Sequence, residues 1–288
     1  MSADPEPHDP RVLLRVRGLA IARPDGAALL REVDLDLAEG EIVALLGGSG
    51  AGKSTLVAAL HDREGLELAG FTVVARTLEH HAGIGIVPQR GALFDHLDVA
   101  GNLALAMRNA YPLQTVSAGA LQDALESVDL PKDWASAESR EVGRLSGGEA
   151  QRLAVARTLA GGRRILFLDE PSVGLDPLRV DRLADLLRAE IRRRKATALV
   201  ITHELAFAAG FADRFLFMDR ERQQLVELAP LPEADSHESL DVPSRTQALR
   251  RAVAHHVGDQ LNERLAAERP PSVDATPRSW WAKLGKRV

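Results

Sequence analysis

A glycine-rich run early in the chain has the composition of a phosphate-binding loop. It follows a short apolar segment, Ile42 to Leu46, and precedes a segment with helical character, Thr55 to Leu60. Glycines let backbone N–H groups turn inward around phosphate oxygens at the start of a helix. The pattern G-x-x-x-x-G-K-[ST] predicts that Lys53 reaches the β- and γ-phosphates of a nucleotide and that the Ser54 hydroxyl holds Mg²⁺. The predicted binding residues are Gly47, Gly48, Ser49, Gly50, Ala51, Gly52, Lys53, Ser54 and Thr55.

Two acidic residues follow another apolar segment, Ile165 to Leu168. Asp169 is expected to support Mg²⁺, directly or through water. Glu170 is expected to lie next to the γ-phosphate and to polarise an attacking water molecule. Two carboxylates at a strand end are also typical of capping or solvated groups, so this pair alone leaves the chemistry open.

The third element, Leu145 to Arg152, has the sequence LSGGEAQR. By itself it predicts a Ser-Gly-Gly turn that opens a helix, whose N-terminus can bind an anion. In this order along the chain, the glycine-rich run, LSGGEAQR and the Asp-Glu strand end together resemble the ATP-hydrolysing domain of ABC-type ATPases. The resemblance extends over Val12 to Val226. It implies that the chain binds ATP with Mg²⁺ and hydrolyses the ATP.

The resemblance assigns roles to further residues. Gln89 matches the Q-loop glutamine, which contacts Mg²⁺ and senses the partner subunit. Asp176 matches the D-loop aspartate at the dimer contact, and His203 matches the switch histidine that bonds the γ-phosphate. The implied catalytic residues are Glu170, His203 and Lys53; the implied metal ligands are Ser54, Gln89 and Asp169; further nucleotide contacts are Gln89, Ser146, Gly147, Gly148 and Asp176.

The resemblance also implies how two copies work together. Each ATP would lie between the Lys53 loop of one copy and the turn from Ser146 to Gly148 of the other, in an isologous dimer. Gly147 and Gly148 would permit the close approach of the two copies. ATP would close the dimer and hydrolysis would loosen it, which is a switch between two states.

Apolar runs that alternate with helical segments predict the fold class. Ile42 to Leu46, Ile165 to Leu168 and Ala198 to Ile201 are typical of strands buried on both faces of a parallel sheet. Ligands of such sheets bind beyond the carboxyl ends of the strands. We therefore expect an α/β fold, a P-loop NTPase domain of the ABC type at 12–230 with a helical subdomain at about 91–144.

The two ends of the chain differ from this central domain. Residues 1–11 are expected to be a disordered leader, and they have neither the basic nor the apolar region of a signal peptide. Residues 231–245 are polar and punctuated by proline, which predicts a linker. Residues 246–288 are expected to form a C-terminal extension. Its helix would carry an apolar stripe that recurs every four residues: Leu249, Val253, Val257, Leu261 and Leu265.

The last segment of this extension, Arg278 to Val288, carries two tryptophans, four basic residues and no acidic residue. This composition suits a membrane interface or an acidic surface on a partner. A terminus folded against the protein's own surface is the alternative. The helix before it is expected to pack on its own domain or on the dimer mate.

The composition limits the partners of the chain. A formal net charge of −5 gives no global basic field, so nucleic acid is not expected. The absence of cysteine excludes disulfides and thiolate metal sites. The apolar runs are far shorter than the ~18–20 residues that cross a bilayer. If this protein serves a membrane, a partner therefore does the spanning. The resemblance to ABC-type ATPases implies a second ATP-binding subunit and integral-membrane permease subunits as partners, with this chain peripheral on the cytoplasmic face of the cell (inner) membrane.

Two segments depart from the common pattern of the family, and a third resembles one branch of it. Many family members have an aromatic residue that stacks on adenine where this chain has Ala22 to Pro24, and Arg23 could stack its guanidinium there instead. The segment Asp62 to Thr77 does not match the family's usual β-hairpin. The stretch from Gln89 to Asn102 is similar to phospholipid-transport cassettes of the Mla/Mce type, and polar amino-acid or ion importers have related segments.

Non-transport ABC ATPases are the alternative function. An iron–sulfur assembly scaffold would share the motifs, but Glu149 to Arg152 has the transporter form. The absence of long coiled-coil heptads argues against DNA-repair types. A single cassette with an acidic charge balance argues against translation factors. The sequence therefore favours the transporter subunit and does not specify the transported molecule.

Overall fold

A six-stranded, mostly parallel sheet forms the centre of the fold. The computed structural model describes residues 9, 11–89, 93–136, 140–173, 175, 177–230 and 242–257. The strands of this sheet are β3 (Ile42–Leu46), β6 (Ile84–Val87), β7 (Ile165–Asp169), β8 (Thr197–Ile201), β9 (Arg214–Asp219) and β10 (Gln224–Glu227). Their order is β10-β9-β3-β8-β7-β6, and β10 pairs antiparallel with β9 while the other pairs are parallel. The predicted α/β fold is confirmed.

The central strands end together at one edge of the sheet. All residues of β3 and β8 are buried, as their continuous apolar sequences require. The register places both Leu45 of β3 and Asp169 of β7 beside Ile201 of β8. The loops that follow these three neighbouring strands therefore begin side by side.

Eight helices and two short 3-10 turns are found in the described residues. Their bounds are α1 (Lys53–His61), α2 (Arg63–Leu68), α3 (Val99–Ala110), α4 (Ala118–Glu126), α5 (Gly147–Ala160), α6 (Pro177–Arg193), α7 (Leu205–Phe211) and α8 (Val242–Val257), with 3-10 turns at Lys132–Ala135 and Val142–Arg144. Among the described residues between 93 and 144 there are helices and one isolated bridge, Asp98 with Glu141, and no strand. In the part of the chain that the structure describes, none of the helices is both long and apolar enough to cross a bilayer.

A second, antiparallel sheet packs against one face of the central sheet. Its strands are β1 (Val12–Ala22), β2 (Ala28–Ala38), β4 (Thr72–Val74) and β5 (Thr77–His80), with β2, β4 and β5 all paired to β1. Alternate residues of β3 face two different cores because side chains alternate along a strand. Val43 and Leu45 lie in the core shared with the antiparallel sheet and α1. Ile42, Ala44 and Leu46 lie in the core shared with the helices on the other face.

Helix α8 begins inside the segment that was predicted to be a linker. Its start at Val242 corrects the predicted boundary by four residues. Pro243 is compatible with the helix because the first turn needs no N–H donor. Leu249 and Val253 are buried in the helix-side core, so α8 packs on its own domain. The leader, except Asp9 and Arg11, together with residues 231–241 and the tail from 258 onward lie outside the described residues, and the predictions for them stay predictions.

Candidate functional site

The glycine-rich run forms the loop between β3 and α1. Lys53 is the first residue of α1, two positions before the predicted start of the helix. Its Nζ atom donates hydrogen bonds to the carbonyl oxygens of Gly47 (2.8 Å) and Gly48 (3.0 Å). An ammonium group has three donors, so one N–H bond remains for an anion in the loop. The first N–H groups of α1 add positive potential at the same end of the loop.

Gly47 shows why the loop needs a glycine where it leaves β3. Its φ is +145°, and a Cβ atom there would lie 3.0 Å from the backbone oxygen of Met218. Met218 belongs to β9, which pairs with β3, so its backbone cannot move aside without breaking the sheet. A side chain at this position would therefore displace the loop.

Three charged groups from different elements interact beside this loop. Burial raises the pKa of Asp169 above its ordinary value, the neighbouring Glu170 raises it further, and Lys53 partly offsets the shift. Burial lowers the pKa of Lys53, and the two carboxylates oppose that change. The structure thus brings Lys53, Asp169 and Glu170 close enough to influence one another's charge. The raised pKa of Asp169 means that a further cation nearby would be favourable.

Asp169→Asn is expected to raise the free energy of unfolding at neutral pH. Because the pKa of Asp169 lies above its ordinary value of 3.8 in the folded protein, folding is most favourable with the carboxyl protonated. Stability therefore falls as the pH rises through the raised pKa, and the advantage of asparagine grows over the same window. Urea unfolding without nucleotide or Mg²⁺, at a series of pH values between about 4 and 8, measures the difference.

The control for this measurement is Asp95→Asn, which neutralises an exposed carboxylate. Its stability difference from wild type should be within about 0.5 kcal/mol, as for most surface substitutions. An Asp169→Asn protein less stable than wild type at neutral pH would contradict the burial argument.

The donor set beside the loop fits Mg²⁺. Ser54 contributes a hydroxyl oxygen at the exposed start of α1, and Asp169 contributes a carboxylate oxygen at the end of β7. Mg²⁺ prefers hard oxygen ligands and is usually bound through one or two protein groups, with phosphates and water completing the octahedron. Within the described residues there is no cluster of three or more His, Cys, Asp or Glu side chains that could hold a metal by itself. An ion here would therefore depend on the phosphates of the ligand.

Glu170 is held by two residues that follow β8. Its Oε2 atom accepts a hydrogen bond from the Thr202 hydroxyl (3.2 Å), and its Oε1 atom lies 2.6 Å from Nδ1 of His203. Since a carboxylate can only accept, this contact implies that Nδ1 carries the proton and that Nε2 is left facing away from Glu170. The backbone N–H of Glu170 donates to Ile201 (2.9 Å). The two predicted catalytic residues, 33 positions apart, are thus in direct contact.

Thr202 is a site residue that was not predicted. It is fully buried, and its hydroxyl also accepts a hydrogen bond from the backbone N–H of Glu204 (3.0 Å). The hydroxyl thereby links the Glu170 carboxylate to Glu204, the residue directly before α7. The sequence signal was a polar residue directly after an apolar strand, but the partner across the sheet could not be identified from sequence.

The LSGGEAQR element caps α5. Ser146 is the N-cap residue: its hydroxyl accepts from the N–H of Glu149 (3.3 Å), and its own N–H donates to the Glu149 carboxylate (2.7 Å). This reciprocal arrangement is a capping box. The hydrogen bond from the Ser146 backbone is the main reason that the pKa of Glu149 is lowered. A Cβ atom on Gly147 would meet nothing within 4 Å, so this helix start is open to a partner.

The cavity beside the phosphate loop does not include this element. It has a volume of about 230 Å³ and is lined by residues 50–55 together with Arg23, Leu29 and Phe71. Among the described residues, Ser146 to Gly148 are not part of the lining. Within one chain the predicted nucleotide contacts are therefore divided between two separate surfaces.

Two other predicted site residues are not joined to the cluster by a described contact. Gln89 is exposed and lies two residues beyond β6, the edge strand next to β7. Because β6 and β7 are parallel, Gln89 and Asp169 both lie at the carboxyl ends of their strands. Asp176 lies outside the described residues, and its predicted role at a dimer contact stays a prediction.

The side chain of Asn102 holds the loop between Gln89 and α3 in place. Its side chain is fully buried in α3, accepts from the N–H of Phe94 (2.9 Å), and donates to the carbonyl oxygens of Phe94 (3.1 Å) and Asp98 (3.0 Å). The guanidinium of Arg157 lies 4.4 Å from the centre of the Phe94 ring. These contacts fix the loop before α3, and a buried asparagine without them would be costly.

The curated relatives that this chain matches include ATP-binding proteins of transport systems. A family model described as ABC transporter matches residues 30–173. The chain is 38% identical over 203 residues to the Fe(3+) ions import ATP-binding protein FbpC of Streptomyces avermitilis, covering 69% of this chain and 58% of that protein. It is 33% identical over 211 residues to the L-cystine transport system ATP-binding protein TcyN of Escherichia coli, covering 68% of this chain and 83% of that protein.

Solved structures show the same fold. A dimeric ATP-binding cassette in a post-hydrolysis state, bound to ADP and Pi, matches with a TM-score of 0.61 and 22% identity, covering 77% of this chain and 100% of that chain. The likeness at this identity concerns the fold. The chain spans 58% and 60% of the lengths of the iron-import relatives from two Streptomyces species, which is less than two thirds of those proteins.

Proposed function

We propose that this chain, which belongs to the ABC transporter family, binds ATP and hydrolyses it to ADP and phosphate. The observation that carries the proposal is the contact of Glu170 with His203 and Thr202 beside the Lys53 loop. A carboxylate fixed next to a phosphate-binding loop is placed to act on a water molecule that attacks phosphorus.

Each residue of the cluster has a separate part in this chemistry. Lys53 and the loop N–H groups hold the β- and γ-phosphates. Glu170 accepts a proton from water as the water oxygen bonds to the γ-phosphorus and the bond to the ADP oxygen breaks. Thr202 and His203 keep both carboxylate oxygens in place, and each oxygen retains a lone pair for the water molecule. The protonated ring of His203 donates its Nε2–H to the γ-phosphate while its Nδ1–H stays bonded to Glu170.

Mg²⁺ is the ion that this proposal requires. Ser54, Asp169 and Gln89 would hold it, and it would neutralise negative charge on the phosphates. The raised pKa of Asp169 makes an added cation favourable at this position.

A second copy of the chain completes the site in our proposal. The start of α5 at Ser146 lies outside the phosphate cavity of its own chain, which supports a head-to-tail pair in which it contacts the nucleotide of the partner. Integral-membrane permease subunits are the further partners, and the pair lies on the cytoplasmic face of the membrane. Contact of Arg278 to Val288 with the membrane surface or a partner stays a sequence-based prediction.

A phospholipid is the transported molecule that the sequence from Gln89 to Asn102 suggests. The support is its similarity to phospholipid-transport cassettes. The relatives named for iron and cystine make an ion or a polar small molecule the competing outcome. ATP-dependent movement of a fluorescent phospholipid, measured in vesicles that contain the chain and its permease, decides between these substrate classes.

Lys53→Ala is expected to weaken ATP binding by about 10- to 150-fold, since hydrogen bonds to charged groups contribute about 1.5–3 kcal/mol. Isothermal titration of the full chain with Mg-ATP measures this change, and phosphate release measures hydrolysis. Lys132→Ala is the matched control, because Lys132 is an exposed lysine paired with Glu126 in the helical subdomain. Unchanged ATP affinity in Lys53→Ala, or no phosphate release by wild type assembled with its permease, would contradict the proposed function.

A further inference from the structure

The phosphate cavity has an aromatic wall that the sequence alone did not locate. No aromatic residue is present at Ala22 to Pro24, but Phe71 lines the cavity together with Arg23 and Leu29. Residues 50–55 of the loop line the rest of the cavity. The cavity therefore extends from the phosphate-binding groups to a patch formed by one phenyl ring, one guanidinium and one leucine.

The end of helix α2 sets the position of Phe71. Gly70 has a φ of +90°, its N–H donates to Glu67 (2.9 Å), and the N–H of Phe71 donates to Leu66 (3.2 Å). These are the two hydrogen bonds of a Schellman motif, in which a left-handed glycine ends the helix. A Cβ atom on Gly70 would lie 3.3 Å from the Pro24 side chain, so glycine also permits close approach to the turn after β1.

Strand register places Phe71 beside Arg23. Strands β1 and β4 pair antiparallel, and their last pair is Ala22 with Thr72. Arg23 directly follows β1 and Phe71 directly precedes β4, so this register, continued by one residue, puts them opposite each other. Directly opposed residues of an antiparallel pair have Cβ atoms about 4.5–5.5 Å apart, which explains why both side chains line one cavity.

The Arg23 side chain is available to a ligand. Among the described residues, no hydrogen bond or ion pair to its guanidinium is found. Its backbone N–H donates to the carbonyl oxygen of Ala27, and its carbonyl oxygen accepts from the N–H of Gly26. A guanidinium carries donors and no acceptor, and it also stacks on planar rings. Phe71 is partly buried against the core between the two sheets, so its ring is held in place before a ligand arrives.

We propose that Phe71, together with Arg23, forms the surface on which the nucleotide base stacks, in place of the missing aromatic residue at the end of β1. This inference rests on the proposed function, since it concerns the base of the nucleotide whose phosphates the Lys53 loop binds. The segment Asp62 to Thr77, which departs from the family pattern, then has a role: it places an aromatic ring at the start of the neighbouring strand β4.

Stacking also limits what the site can recognise. Every nucleobase has a π-face, so an aromatic platform tolerates different bases. The side chains at this end of the cavity, Arg23, Leu29 and Phe71, provide no acceptor for the amino group of adenine. We therefore expect GTP to bind with an affinity within about tenfold of that of ATP, since little base-edge discrimination remains.

Phe71→Ala is expected to weaken ATP binding by about 5- to 150-fold, the range measured for loss of a stacked aromatic. Inorganic tripolyphosphate, which has no base, should bind the variant as tightly as wild type, within about twofold. Phe71→Trp should restore ATP binding, since the larger ring also stacks. Isothermal titration of the full chain in Mg²⁺ buffer with ATP, GTP and tripolyphosphate measures all three.

Leu68→Ala is the matched control, because Leu68 lies on α2 near Phe71 and is 90% exposed. It should leave the binding of all three ligands unchanged. Equal weakening of ATP and tripolyphosphate in Phe71→Ala would assign the residue a structural role and overturn the proposal, as would unchanged ATP binding. Wild type that binds none of the three ligands would instead overturn the proposed function itself, and the stacking role with it.

Discussion

Glu170→Gln should hydrolyse ATP about 10²–10⁴-fold more slowly than wild type, which is the usual contribution of a general base, while it still binds ATP. Glutamine has nearly the same shape, and its amide can still contact Thr202 and His203 where the carboxylate does now. It cannot accept the proton of the attacking water molecule. ATP should therefore accumulate in the variant, and dimers closed by ATP should persist.

The measurement is phosphate release by the purified variant assembled with its membrane partner, together with ATP affinity from isothermal titration. Glu126→Gln is the control, because it removes an exposed carboxylate that pairs with Lys132 far from the loop. Near-normal turnover in Glu170→Gln would show that Glu170 does not activate water. Loss of ATP affinity as large as the loss of turnover would point to a binding role instead.

Ser146→Arg should abolish ATP hydrolysis and leave ATP binding to the isolated chain largely intact. The start of α5 lies outside the phosphate cavity of its own chain, so a bulky cation there should block the contact with a partner's nucleotide. Mixing Ser146→Arg with Lys53→Ala should restore at most one working site in each mixed dimer. That site combines the intact loop of one copy with the intact helix start of the other.

Loss of the N-cap also costs stability, by about 1 kcal/mol, so the control must lose a cap as well. Ser117→Arg fits this need, because the Ser117 hydroxyl caps α4 by accepting from the N–H of Ala120 (3.1 Å). It should keep hydrolysis. If Ser146→Arg prevents ATP binding to the single chain while Ser117→Arg does not, the head-to-tail arrangement is wrong.

Local patterns in the sequence determined the elements that carry the chemistry. The loop at Gly47 to Ser54, the strand that ends at Asp169 and the helix capped by Ser146 depend on residues close together in the chain: glycines, apolar runs, and a serine with a glutamate three positions later. Boundaries were less certain. Helix α8 can begin at Val242, before Pro243, since a proline in the first turn does not interrupt a helix.

Which of these residues touch depends on how the strands and helices pack. Thr202 reaches Glu170 because β7 and β8 are neighbours in the sheet, with Asp169 beside Ile201. Phe71 reaches the phosphate cavity because β4 pairs with β1 in a register that sequence periodicity does not reveal. Contacts between distant segments depend on strand order and register, which packing of the whole domain selects. Short sequence patterns do not specify which distant strands become neighbours.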